Sequence, residues 1–228
     1  MKRHIPNVFT LTNLFLGCIA LFFSFAGDLS LAFWLVLVAL VCDVLDGLLA
    51  RWLNVAGPLG VQLDSLADVV TFGVVPGAMM VRMLSISVAE PSWVPYLGFL
   101  IPLGSAWRLA RFNITTYDHQ DFVGLATPSA TLLVGGLALV FHRRPEFQPY
   151  FTSGALLLVT AAVIILMNMP LRMFSLKSRD AQNWLIALVT GTLLLAIFLR
   201  EWAFSLSIVG YILLSLLRRL FHQKFKPS

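Results

Sequence analysis

The chain has 228 residues, 59% hydrophobic and only 12% charged, against about 45–50% and about 25% in soluble domains. With a mean hydropathy of +0.87, that balance excludes a soluble globular enzyme and a disordered chain. A net charge of +5 would suit nucleic acid, but the basic residues stand at the ends of apolar blocks and form no soluble basic face, so that partner is excluded too.

The apolar blocks are about 17–25 residues long, the thickness of a hydrocarbon layer. In chain order they cover 9–26, 29–50, 60–81, 93–111, 127–142, 150–169, 181–199 and 203–220. The reading is an all-α, polytopic membrane protein of about eight transmembrane helices in a single domain, 1–228. The first block has no small-residue cleavage site after it and reads as a retained helix. Only Arg200, Glu201 and Trp202 separate the last two blocks, which fit either two crossings or a re-entrant pair. Cys18 and Cys42 fall inside apolar blocks, without partners at metal-ligand spacing, and read as buried free thiols. The six tryptophans lie near block ends, as in an interfacial belt.

A cytoplasmic N-terminus puts Lys2, Arg3, Arg51, Arg108, Arg111, Arg172, Lys177, Arg179, Arg218, Arg219, Lys224 and Lys226 inside. It leaves Arg82, Arg143, Arg144 and Arg200 outside, and twelve of the 16 basic residues against four sets the orientation. Both termini are then cytoplasmic. The discordant feature is the pair Arg143 and Arg144 in an outer loop.

Seven of the 11 acidic residues (Asp28, Glu90, Asp118, Asp121, Glu146, Asp180 and Glu201) lie in loops, where charge is solvated. The other four, Asp43, Asp46, Asp64 and Asp68, lie at the facing ends of the second and third blocks. A carboxylate within a membrane helix costs at least about 2.5–3.5 kcal/mol, so it marks function by default. Asp43 and Asp46 are three apart and Asp64 and Asp68 four apart, so each pair projects from one helix face. Asn54, Gly57 and Pro58 make the turn that brings the helices back antiparallel.

Four converging carboxylates require positive charge, and Arg51 and Arg108 are too few to supply it. Hard oxygen ligands without His or Cys select Mg²⁺, Mn²⁺ or Ca²⁺, and two such cations suit a phosphate-bearing substrate. Gly47 and Ala50 share the acidic face and Gly60 opens the third block. These small residues fit close helix packing or room for a bulky ligand. An ion-coupled transporter would place its carboxylates near mid-membrane on unwound helices, whereas all four here stand at one edge.

The run Asp43-Val44-Leu45-Asp46-Gly47-Leu48-Leu49-Ala50-Arg51, then Gly60, Asp64 and Asp68, resembles the signature of the CDP-alcohol phosphotransferases at every one of its eight fixed positions. The resemblance implies a six-helix core, about residues 5–177, around a cytoplasmic cavity, with additional C-terminal helices at about 181–220. It implies two divalent cations and transfer of a phosphatidyl group from a CDP-linked donor to an alcohol, releasing CMP. It also implies that Asp43, Asp46 and Asp64 are ligands and that Asp68 is both ligand and base. Gly47, Ala50, Arg51 and Gly60 are candidate substrate contacts, and a homodimer in the bacterial inner membrane is expected.

Three stretches resemble the membrane-type phosphatidylserine synthases within that family. They are Leu63-Asp64-Ser65-Leu66-Ala67-Asp68-Val69-Val70-Thr71-Phe72-Gly73-Val74-Val75-Pro76, then Arg108-Leu109-Ala110-Arg111-Phe112-Asn113, then Phe122-Val123-Gly124-Leu125-Ala126-Thr127-Pro128. Ala126 and Asn168 depart from that pattern, at positions where proline and serine are usual. The implied donor is CDP-diacylglycerol and the implied acceptor L-serine, with glycerol 3-phosphate or inositol as alternatives. Arg108 and Arg111, three apart, suit a bidentate grip on carboxylate or phosphate, or anchor a helix end. Pro6 and Asn7 read as the start of a short interfacial helix. Asn7, Thr10 and Asn13 share one polar face, and Asn7 and Thr10 are candidates for donor contact, N-capping or interhelical bonding.

Overall fold

The computed structural model describes residues 4–89, 92–114, 122–170, 172–173 and 200–224. The expected block at 181–199 lies outside them. So do Lys2, Arg3, Glu90, Asp118, Asp121, Lys177, Arg179, Asp180, Trp184 and Lys226.

Helix α1 (Ile5–Ala26) starts with Pro6 in its first turn, where a missing N–H costs nothing. It stops at Gly27, whose φ of 97° lets its N–H cap the Phe23 carbonyl at 3.0 Å. Asp28 then caps α2 (Leu29–Trp52) by accepting the Leu31 N–H at 2.9 Å, a structural task beyond that of a solvated loop acid. The buried stripe of α1 is small and polar (Thr10, Asn13, Gly17, Ala20, Ser24), which lets backbones approach closely. No separate interfacial helix forms at Pro6 and Asn7, because α1 is continuous from Ile5, and the residue at the N-cap is His4.

After α2 the chain turns through 53–57, with Asn54 at a φ of 51°. It then enters α3 (Pro58–Val69), a π turn (Val70–Val74) and α4 (Val75–Ser87), which together form one helix of 30 residues. The third block therefore runs beyond the expected 60–81, and Pro76 sits inside it. Next come a 3₁₀ segment (Val94–Phe99), α5 (Leu100–Ile114), α6 (Thr127–Arg143), a second 3₁₀ segment (Pro145–Tyr150), α7 (Ser153–Asn168) and α8 (Ala203–Lys224). Among the described residues, a two-residue antiparallel pairing, Phe122–Val123 with Arg172–Met173, is the exception to an all-helical fold.

The core is built around α4. Met79, Met80, Met83 and Leu84 are fully buried, packed with Phe33, Phe72, Ile101 and Phe141. By contrast, Val8, Leu11, Phe15 and Phe22 on α1 and Val38, Val41 and Val44 on α2 are exposed. A large apolar face left uncovered belongs against lipid or protein. Among the described residues, three helices are long and apolar enough to cross a membrane: Ile5–Ala26, Leu29–Trp52 and Pro58–Ser87.

One expectation is corrected here. Cys18 is exposed and Cys42 half-buried, both free, because an apolar block in a membrane protein need not face the core. Arg143 and Arg144, the pair discordant with the expected orientation, each have side-chain partners. Arg143 Nε donates to Ser30 Oγ at 3.0 Å, and Arg144 pairs with Glu201 at 3.2 Å and Glu146 at 3.5 Å. The hydrogen bond and charge of Glu201 hold the Arg144 guanidinium above its ordinary range.

Candidate metal and substrate site

The turn at 53–57 sets the acidic ends of α2 and α3 side by side. Carboxylate oxygens of Asp43, Asp64 and Asp68 lie within 4.8 Å of one another. Asp43 is within hydrogen-bonding reach of both the others. Asp68 is buried and its Oδ1 has no hydrogen-bond partner. Carboxylates this close repel unless a proton or a cation lies between them. Three oxygen donors with an orphaned buried oxygen among them fit a hard divalent cation.

Asp46 stands outside this trio. It is buried, and its Oδ2 accepts the Thr10 hydroxyl at 2.6 Å from α1. That bond gives Thr10 a definite task, orienting a carboxylate from across the helix pair. Asp46 and Asp64 both line an adjoining cavity of about 410 Å³. Other lining residues are Asn7, Thr10, Gly47, Ala50 and Gly60. Of the eight signature residues, five therefore face one space.

Gly47 and Gly60 of that wall are not packing devices. A Cβ on Gly47 would meet nothing within 4 Å, and one on Gly60 only Asn7 Oδ1 at 3.7 Å. Gly17 on α1 is different, because a Cβ there would collide with Thr71. The choice left open by sequence, packing or ligand room, resolves toward open space at Gly47 and Gly60. Asn7 lies within α1 and does not cap it.

The arginines are less concentrated. Arg51 is exposed and its Nε donates to the Gly47 carbonyl at 3.0 Å, back onto its own helix. Arg108 is buried on α5, Arg111 is exposed one turn on, and neither lines the cavity. A link missed by sequence reasoning ties α5 to this region: Asn113 Nδ2 donates to Ser65 Oγ at 2.8 Å. Val61, also in the wall, precedes Asp64 by three residues, a helical spacing that marks it in retrospect.

The fold and site define a helical membrane protein with an acidic centre at one end of its longest helices. The profile of the CDP-alcohol phosphatidyltransferase family matches residues 3–166, and the chain belongs to that family. It is 37% identical over 131 residues to the CDP-diacylglycerol–serine O-phosphatidyltransferase of Helicobacter pylori strain J99, covering 57% of this chain and 54% of that one. The Bacillus subtilis protein of the same description is 31% identical over 165 residues, covering 71% and 89%. The archaetidylserine synthase of Methanothermobacter thermautotrophicus is 32% identical over 139 residues, covering 59% and 58%. The chain thus spans about half the length of the Helicobacter relative.

Proposed function

We propose that this chain transfers the phosphatidyl group of CDP-diacylglycerol to L-serine, giving phosphatidylserine and CMP. The observation that carries the reading is the coincidence of signature and geometry, with three signature carboxylates within 4.8 Å of one another beside a cavity walled by signature glycines. The relatives' names support serine in particular. The bacterial names and the archaeal one differ in the lipid they mention and share serine.

In this reading Asp43, Asp46, Asp64 and Asp68 hold two divalent cations, Mg²⁺ or Mn²⁺, with Ca²⁺ also fitting the oxygen donors. The cations supply charge neutralisation for the phosphates of the donor. The chain's own residues do the rest. Thr10 orients Asp46, while Gly47, Ala50, Gly60 and Asn7 leave room for the nucleotide. Arg108 and Arg111 grip serine or phosphate, and Arg51 borders the donor. A carboxylate oxygen of Asp68 accepts the proton of the serine hydroxyl. The serine oxygen forms the new bond to phosphorus as the bond to CMP breaks.

We also read the whole chain, 1–228, as a single domain with about eight transmembrane helices, of which six form the core. Both termini and the site face the cytoplasm, in a bacterial inner membrane, and the protein is a homodimer. The test is a panel of alcohols, offered to purified protein with CDP-diacylglycerol and Mn²⁺. CMP release should depend on serine; release with glycerol 3-phosphate or inositol, and none with serine, would overturn the acceptor assignment.

A further inference from the structure

The helix that carries Asp64 and Asp68 has one irregular turn, and Pro76 explains it. Proline has no N–H, and its ring crowds the carbonyl four residues back, here that of Phe72. The helix responds by widening over Val70–Val74, where the Val75 N–H bonds the Val70 carbonyl five residues back. Such a turn adds one residue, hence about 100° of rotation between the segments it joins.

The wide turn is held from three sides. From α6, the buried Thr131 hydroxyl lies 2.9 Å from the Phe72 carbonyl, which Pro76 cannot serve. The same hydroxyl lies 2.9 Å from the Thr127 carbonyl in its own helix, so its one proton is shared between the two carbonyls. From α1, the Asn13 carbonyl accepts the Thr71 hydroxyl at 3.2 Å. From α5, Ser105 packs so closely on Gly73 that a Cβ there would lie 3.1 Å from it. A buried helical threonine or serine needs only its own carbonyl four residues back, and Thr160 and Ser24 bond in that way. Thr131 does more.

What the turn separates matters. On one side α4 is locked into the core. On the other, Asp68 stands two residues before the turn and Asp64 one helical turn earlier. The offset between the buried segment and the acidic face is therefore set by whether this turn stays wide.

We propose that Thr131 is a positioning residue for the acidic site: by holding the Phe72 carbonyl it keeps the turn wide and aims Asp64 and Asp68 at Asp43. The inference rests on the reading that these carboxylates hold divalent cations. Mn²⁺ binding to the purified full chain, followed by electron paramagnetic resonance, tests it without recourse to turnover. Thr131→Val should weaken Mn²⁺ binding by about tenfold or more, the scale of losing a group that orients ligands. Thr131→Ser, which keeps the hydroxyl, should restore it.

Pro76→Ala returns an N–H to position 76 and lets the turn narrow. It should weaken Mn²⁺ binding similarly while leaving the unfolding temperature at or above that of the wild type, a combination that lost packing would not produce. Wild-type affinity in a folded Thr131→Val protein overturns the proposal. Should that variant not fold, wild-type affinity in Pro76→Ala overturns it. Asp64→Asn is the reference: equal Mn²⁺ binding in that variant and the wild type would instead refute the metal reading beneath the proposal.

Discussion

Gly47 offers a perturbation whose effects on stability and function should have opposite signs. It lies inside α2, where glycine costs about 1 kcal/mol relative to alanine. A Cβ at this position meets nothing within 4 Å, so Gly47→Ala carries no steric cost in the protein itself. The variant should therefore be more stable by up to about 1 kcal/mol, roughly a fivefold change in the folded-to-unfolded ratio. The same open space is the wall of the 410 Å³ cavity. If the CDP-linked donor backs against it, the added methyl displaces the ligand. Each tenfold rise in KM corresponds to about 1.4 kcal/mol of lost binding, and Gly47→Leu should lose far more than Gly47→Ala.

Gly210, in α8, is the matched control, since a Cβ there also meets nothing and the residue is not in the cavity wall. Gly210→Ala should stabilise similarly and leave KM unchanged. The assay pairs thermal unfolding in detergent with donor-dependence curves for CMP release. A Gly47→Ala protein with unaltered KM and kcat would refute the placement of the donor, and one that is destabilised would refute the open-space argument.

Three further substitutions probe individual roles. Asp68→Asn should lose about 10²–10⁴ in kcat even at Mn²⁺ concentrations that saturate the variant, the range for a general base; wild-type kcat at saturating Mn²⁺ would make Asp68 a ligand only. Thr10→Val removes a short charge-assisted bond to Asp46, a type worth about 1.5–3 kcal/mol, and should raise the donor KM by about tenfold; an unchanged KM would mean that Asp46 is held by its own helix. Arg108→Lys or Arg111→Lys should raise the serine KM with the metal requirement intact, because lysine keeps charge but loses the planar fork; normal serine kinetics in both would leave the arginines as anchors.

The acidic cluster was legible because it is built of a residue type that an apolar helix otherwise rejects. Asp43, Asp46, Asp64 and Asp68 stand out against lipophilic neighbours, and their spacing fixes the face they share. Their separation into a trio and a fourth member held by Thr10 was not legible, since it depends on how α1 crosses α2. The first three spans, the run through Pro76 included, followed from block length, but the wide turn inside the third did not. A proline usually marks a helix end, and here it is accommodated by a wide turn whose freed carbonyl is met by α6, 59 residues away in sequence. Burial was misread at Cys18 for a related reason: hydropathy alone does not distinguish a core-facing position from an outward one. Asn113 and Ser65 meet across 48 residues and carry no local signal.

The central claim is that the clustered carboxylates serve metal-dependent transfer to serine, and isotopically labelled serine tests it most directly. Purified protein would be incubated with CDP-diacylglycerol and labelled serine, first in excess chelator and then with Mn²⁺ or Mg²⁺ restored, and the lipid product read by mass spectrometry alongside CMP. The account predicts no product in chelator and, on restoring the cation, labelled phosphatidylserine equal in amount to CMP, with Asp64→Asn inactive throughout. Undiminished product in excess chelator, or CMP release without label in the lipid, would contradict it.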